Sequence, residues 1–152
     1  MKINIYSIQK KSTDEYSQLV DGFLKMSKKF ATVSDIQIFG TSISKAALQT
    51  SEIAKKSYTD AFEPFLKSGF NIALDVLGKN VNSFDFAKFL QDKQEINFFI
   101  GGAFGFERDF LIKCDSTISL SNLTMSHKLA YVVLCEQIFR GLAINNNHPY
   151  HK

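Results

Sequence analysis

The chain has 152 residues, 45% of them apolar and 13% aromatic, which is ample for one buried core and short for two domains. Eighteen Lys and Arg against 15 Asp and Glu give a net charge of +3, a bias that permits nucleic acid as a partner without demanding it. Two cysteines with no Cys-x-x-Cys and three histidines with no His-x-x-x-His exclude a disulfide framework and a tetrahedral zinc site, so no metal is expected. The opening Met1-Lys-Ile-Asn-Ile-Tyr lacks an apolar leader, and no run approaches the ~18 apolar residues of a membrane span, so a cytoplasmic protein with no membrane contact is expected.

In chain order, Lys2 to Ile8 alternates as a first strand. Ser12 or Thr13 then caps a helix that runs to about Lys29, with Asp14 and Glu15 in its first turn and Tyr16, Leu19, Val20, Phe23 and Leu24 at helical spacing. Val33, Ile36 and Ile38 predict a second strand closing at Gly40, followed by a polar loop over Thr41 to Ser44 and a long helix from about Ser44 to Leu66. Pro64 should kink that helix or end it early. Phe70 to Leu74 predicts a third strand, opening into the loop Asp75 to Gly78; Asn82 or Ser83 caps a helix to about Asp92.

Ile96 to Gly105 runs an apolar strand directly into three glycines, Gly101, Gly102 and Gly105, as α/β proteins do when backbone must approach a ligand. The spacing is neither G-x-G-x-x-G nor a phosphate-binding Walker loop, and by itself it also fits a plain strand-to-helix turn. A helix over about Phe106 to Cys114, a fifth strand at Thr117 to Leu120, a polar loop over Ser121 to Ser126 and an apolar helix over His127 to Ile144 complete the chain. Strands separated by helices imply crossover connections, hence a largely parallel sheet covered on both faces. Ligands of such sheets bind at the carboxyl ends of strands, and the loops at Asp75–Gly78, Gly101–Gly105 and Ser121–Thr124 could converge there.

Together, Leu74-Asp75-x-x-Gly78, Ile100-Gly101-Gly102-x-x-Gly105, Leu120-Ser121-x-Leu123-Thr124-x-x-His127, Glu136-x-x-x-Arg140 and the closing Asn147-His148-Pro149-Tyr150-His151-Lys152 resemble the RlmH family over the whole chain. These are SPOUT-class methyltransferases that modify N3 of a pseudouridine in 23S ribosomal RNA. The resemblance implies one parallel-sheet α/β-knot domain over residues 1–152 with a deep C-terminal trefoil knot, a homodimer, and S-adenosylmethionine held by the three loops. It places Leu74, Gly101, Gly102, Gly105, Leu120, Ser121, Asn122, Leu123, Thr124 and Met125 around the cofactor. It departs from the family pattern at Ala103-Phe104, where Pro-Glu is usual, at Ser126 in place of Pro, and at Lys152 in place of a final Arg.

That activity fits the inventory of residues, because methyl transfer from a sulfonium is a direct displacement that needs no metal; the protein supplies alignment and a destination for a proton. N3 of a uracil-type ring lies between two carbonyls and carries that proton, so a base or hydrogen-bond donors must act there. The tail offers His151 for the developing imide charge and Tyr150 for stacking or a hydroxyl hydrogen bond, the two candidate catalytic residues. His127, Arg140, His148 and Lys152 are candidate RNA contacts, with Lys10 and Lys11 further candidates for phosphate. Plainer readings stay open: His127 as a helix cap, Glu136–Arg140 as an i,i+4 brace, and a solvated tail. The alternative function is a non-catalytic ribosome-associated RNA-binding protein that keeps the fold.

Overall fold

A computed structural model describes all residues, 1–152. Five strands, β1 (Lys2–Ile8), β2 (Thr32–Ile38), β3 (Phe70–Asn80), β4 (Glu95–Ile100) and β5 (Ser116–Ser119), form one sheet in the order β2-β1-β4-β3-β5, and every pairing is parallel. Helices α1 (Glu15–Ser27), α4 (Ser83–Phe89) and α6 (His127–Asn145) cover one face. Helices α2 (Thr41–Ala46), α3 (Ser51–Phe62) and α5 (Arg108–Lys113) belong to the other.

Because both faces are covered, β4 ends in a continuous apolar run, Phe98-Phe99-Ile100, rather than alternating. Phe98 packs with Ile3, Ile72, Leu134 and Ile138 on the α1/α6 face, and its neighbour Phe99 packs with Tyr6, Phe62 and Phe110 on the opposite one. Four fully or nearly buried phenylalanines gather on this second face, where Phe106 stacks on Phe110 at 5.1 Å and Phe62 meets Phe99 edge-on at 5.3 Å. Register across the three central strands is fixed by a buried row of asparagines directly opposite one another. Asn4 Nδ2 donates to Asn97 Oδ1 (2.8 Å) and Asn97 Nδ2 to Asn71 Oδ1 (3.0 Å). A slip by one residue would bury these amides unpaired.

Four local expectations are corrected. The cap of α1 is Asp14, not Ser12 or Thr13: its carboxylate accepts from Ser17 N–H (2.9 Å) while Ser17 Oγ accepts from Asp14 N–H (3.0 Å), a reciprocal capping box. Lys128 of α6 also pairs with that carboxylate, and its hydrogen bond, ahead of the one from Ser17, holds the Asp14 pKa down at about 2. The polar loop at Thr41–Ser44 is helical, the first part of α2, anchored by buried Ile43. The long helix from Ser44 to Leu66 is two helices, because Thr50 accepts from Ile53 N–H (3.3 Å) and starts α3 anew. Ahead of Pro64, α3 ends at Phe62 and passes into a single 3₁₀ turn over Glu63–Phe65, as proline's missing N–H requires. The strand expected to stop at Leu74 resumes: Leu74 and Lys79 both stand opposite Ile118, so residues 75–78 bulge out of an otherwise continuous β3.

Candidate functional site

The carboxyl ends of β3 and β4 and the start of α6 surround a cleft of about 930 Å³. Leu74, the bulge residues 75–78 and Lys79 after them, the whole glycine loop Gly101–Gly105, Thr124, Met125 and His127 line it. Beside it, and sharing Leu74, Asp75, Val76, Met125 and Ala130, lies a narrow apolar slot of about 80 Å³ closed by Leu120, Ser121 and Leu123. The three loops picked out in the sequence therefore converge. Asn122 alone of the expected cofactor residues lines neither space; its Oδ1 accepts from Asn80 Nδ2 (2.6 Å) and ties the Ser121–Ser126 segment to the end of β3.

The glycine loop is a closed turn. Gly105 N–H donates to Gly102 O (3.0 Å), and Gly105 sits at φ +77 with open space where a Cβ would be, the left-handed conformation that favours glycine. Gly102 is small for another reason: a Cβ there would lie 2.5 Å from Tyr58 Cζ, so the buried tyrosine of α3 backs the loop. At Gly101 a Cβ would face the backbone of Gly105 at 3.2 Å and Phe106 at 3.3 Å, within the loop rather than across the cleft.

His127 is the first residue of α6, behind the N-cap Ser126, whose Oγ accepts from Leu129 N–H (3.4 Å). Its ring borders the cleft, with Nε2 buried and unpartnered. Burial lowers its pKa, opposed in part by a hydrogen bond with the Gly101 backbone. The ring thus sits on the cleft lining between α6 and the glycine loop.

The remaining candidates gather at the far half of α6. Arg140 Nε donates to Glu136 Oε1 (2.9 Å), the i,i+4 pair read from the sequence, and Tyr150 Oη donates to the same oxygen (3.0 Å). The Arg140 guanidinium lies over the Tyr150 ring (4.7 Å), and its Nη1 approaches His151 Nδ1 at 3.2 Å. His151 meets Phe84 edge-on at 4.8 Å, whereas His148 is wedged against Phe30 (5.6 Å) and Phe139 (6.3 Å) with Nδ1 buried. Lys152 is exposed at the end. The tail is thus folded onto α6 rather than loose, and Glu136–Arg140 is its brace. Tyr150 and His151 are held at Glu136 and Arg140, nine and thirteen residues along the helix from His127, about 14–20 Å at 1.5 Å per residue, so in the single chain the tail lies away from the cleft.

Lys55, Tyr58, Lys79 and Arg108 are site residues that the sequence reading passed over. Lys55 and Tyr58 carried a usable signal, one helical turn apart on α3, but not which element that face would meet. No group of three or more His, Cys, Asp or Glu side chains is placed to hold a metal ion, and no helix is long and apolar enough to cross a membrane.

A parallel α/β sheet with a glycine-loop cleft at its strand ends defines a class of ligand-binding enzyme folds, and the comparisons narrow it. The family model described as "Predicted SPOUT methyltransferase" matches residues 1–151. Proteins named ribosomal RNA large subunit methyltransferase H are 55% identical in Aliarcobacter butzleri and 54% in Sulfurovum sp., each match covering 100% of both chains. The one from Campylobacter lari is 50% identical, again over the full length of both. A Bacillus anthracis crystal structure described as a candidate RNA methyltransferase superposes with a TM-score of 0.52 at 16% identity, covering 98% of this chain and 96% of that one, a likeness of fold. The chain belongs to the SPOUT methyltransferases and, within them, to the RlmH family.

Proposed function

We propose that the protein is an S-adenosylmethionine-dependent methyltransferase that acts on large-subunit ribosomal RNA, with N3 of a pseudouridine in 23S rRNA as its target. The carrying observation is the joined cleft and slot at the ends of β3, β4 and β5, large enough for a nucleoside-sized ligand and mostly apolar with a few placed polar groups. The residues fit the cofactor. Leu74, Leu120, Leu123 and Met125 would take a flat ring in the slot, and backbone groups of Gly101–Gly105 would reach the polar parts. His127, kept neutral by burial, adds no positive charge beside a sulfonium. When bound, the cofactor supplies a methyl group activated on sulfur.

The chain's own part is to align N3 and manage its proton. Arginine only donates, so Arg140 Nη1 at 3.2 Å assigns His151 Nδ1 as acceptor and leaves the hydrogen of the neutral ring on Nε2. In that tautomer His151 is a donor for the developing imide oxygen rather than a base for the N3 proton. Tyr150, with its hydroxyl engaged by Glu136, presents a ring for stacking. Arg140, His148 and Lys152 then serve the tail and RNA side of the site. Since tail and cleft sit toward opposite ends of α6, a site that uses both takes its tail from the second chain of a homodimer. Exposed Leu129 near the start of α6 and Tyr16 and Leu19 on α1 suit such a contact; Val132 and Ile138, by contrast, are consumed by the chain's own core. The deep trefoil knot and a cytoplasmic location belong to the same proposal.

Transfer of labelled methyl to ribosomes, followed by mass mapping of 23S rRNA from a strain lacking the gene, tests it. A missing methyl mass at one pseudouridine is expected. Ribosome binding without any methyl transfer would instead favour the non-catalytic RNA-binding reading.

A further inference from the structure

The glycine loop carries a phenylalanine near its tip: Phe104 is 41% exposed and lines the cleft. A single exposed apolar side chain is ordinary; the surroundings of this one are not. Lys55 of α3, Lys79 of β3 and Arg108 of α5 line the same cleft, and none of the six ion pairs in the chain engages any of them. Asp75 is the only acid on the lining, and its Oδ1 already accepts from Leu77 N–H (2.9 Å). Lys55 lies one turn before Tyr58, whose ring abuts Gly102, so both side chains belong to the face of α3 turned to the loop. Arg108 opens α5, the end of a helix where positive charge is least favourable. Helix stability does not account for an arginine there.

We propose that Phe104, Lys55, Lys79 and Arg108 form a docking edge for an unpaired RNA strand, with a base stacked on Phe104 and neighbouring phosphates on the three cations. The inference rests on the RNA methyltransferase reading and names the surface by which that site holds its substrate. Single-stranded RNA is the partner that the combination fits, since only a splayed base offers its face to a ring, and the backbone beside it supplies regularly spaced negative charge. Duplex RNA would use the cations and leave Phe104 idle. Ala103-Phe104 at the loop acts in the same direction, since it places an aromatic ring and no acid beside the three cations.

The test titrates the full-length protein against large ribosomal subunits at several salt concentrations, with calorimetry for S-adenosylmethionine and light scattering for mass run on the same preparations. Phe104→Ala should weaken ribosome affinity about 5- to 150-fold, with Phe104→Tyr close to the unsubstituted protein. The triple variant Lys55→Gln, Lys79→Gln, Arg108→Gln should flatten the slope of log affinity against log salt by about 2, at ~0.7 per cation on a single strand. Cofactor affinity and molecular mass should stay unchanged in all three. Unchanged ribosome affinity in Phe104→Ala, or an unchanged salt slope in the triple variant, overturns the proposal. So does lost cofactor affinity, which would give the cations to the cofactor's carboxylate, and so does a change of mass in Phe104→Ala, which would place that ring in a contact between chains. Weakened ribosome affinity in both variants, in a protein that transfers no methyl, would uphold the docking edge and sink the methyltransferase reading.

Discussion

Gly78 is the residue at which the irregularity of β3 is most exposed to challenge. A Cβ built there would lie 2.6 Å from the carbonyl carbon of Ile118 and 2.8 Å from its Cα and N. Ordinary carbon contacts begin near ~3.5 Å, so Gly78→Ala requires β3 and β5 to part by roughly 1 Å. All three obstructing atoms are backbone of a paired strand, so no rotamer change relieves the clash. Overpacking of this kind costs up to about 3 kcal/mol, of which alanine's lower unfolded-state entropy returns about 0.5–1, leaving a net loss of about 2 kcal/mol. For a chain of this size that lowers Tm by about 4–8 °C. Gly22, exposed within α1 with nothing within 4 Å of its Cβ position, supplies the opposite control: Gly22→Ala should gain about 0.8–1 kcal/mol and raise Tm by about 2–4 °C. Both are read by thermal unfolding followed by circular dichroism at one fixed protein concentration, since a dimer's Tm depends on concentration. A Gly78→Ala protein that melts within about 1 °C of the unsubstituted one would refute the close approach of Gly78 to the Ile118 backbone, and with it the shape of the cleft that the bulge borders.

Deleting Tyr150 to Lys152 should leave folding and cofactor binding almost intact while methyl transfer to ribosomes falls by roughly 100-fold or more, because substrate alignment is lost and the cleft is not; near-normal turnover would return the tail to a merely structural role. His127 has its pKa lowered in the fold, so its neutral form stabilises the native state fully above the ordinary histidine value of 6.5, and that contribution is lost as pH falls below 6.5 toward the depressed native value. His127→Gln should accordingly flatten the fall of Tm between about pH 7 and pH 5, and parallel curves for the two proteins would show that the ring is not held neutral. Light scattering at micromolar concentration should give twice the 17.2 kDa chain mass, and a monomer would remove the second chain that a composite site needs.

Local chemistry was legible wherever one residue type settles it. Strands separated by helices implied a parallel sheet covered on both faces, Pro64 ended a helix, and Glu136 and Arg140 paired as their spacing required. The same locality misled at Thr50, where an apolar period continued across a hydroxyl that starts a new helix, and at Leu74, where a bulge resembles a strand end. The glycines of the loop announced a ligand site by their type, but not that Gly102 is small on account of Tyr58, or Gly78 on account of Ile118. Those contacts join residues 44 and 40 positions apart in sequence, and only the closed sheet brings them within van der Waals reach. The histidines illustrate the remaining division. All three lie in matching motifs, and the sequence alone determined that they were present. The length of α6 then set His127 against the cleft and His148 and His151 on the folded tail about 14–20 Å away, since a straight helix fixes the distance between its two ends whatever chemistry they carry.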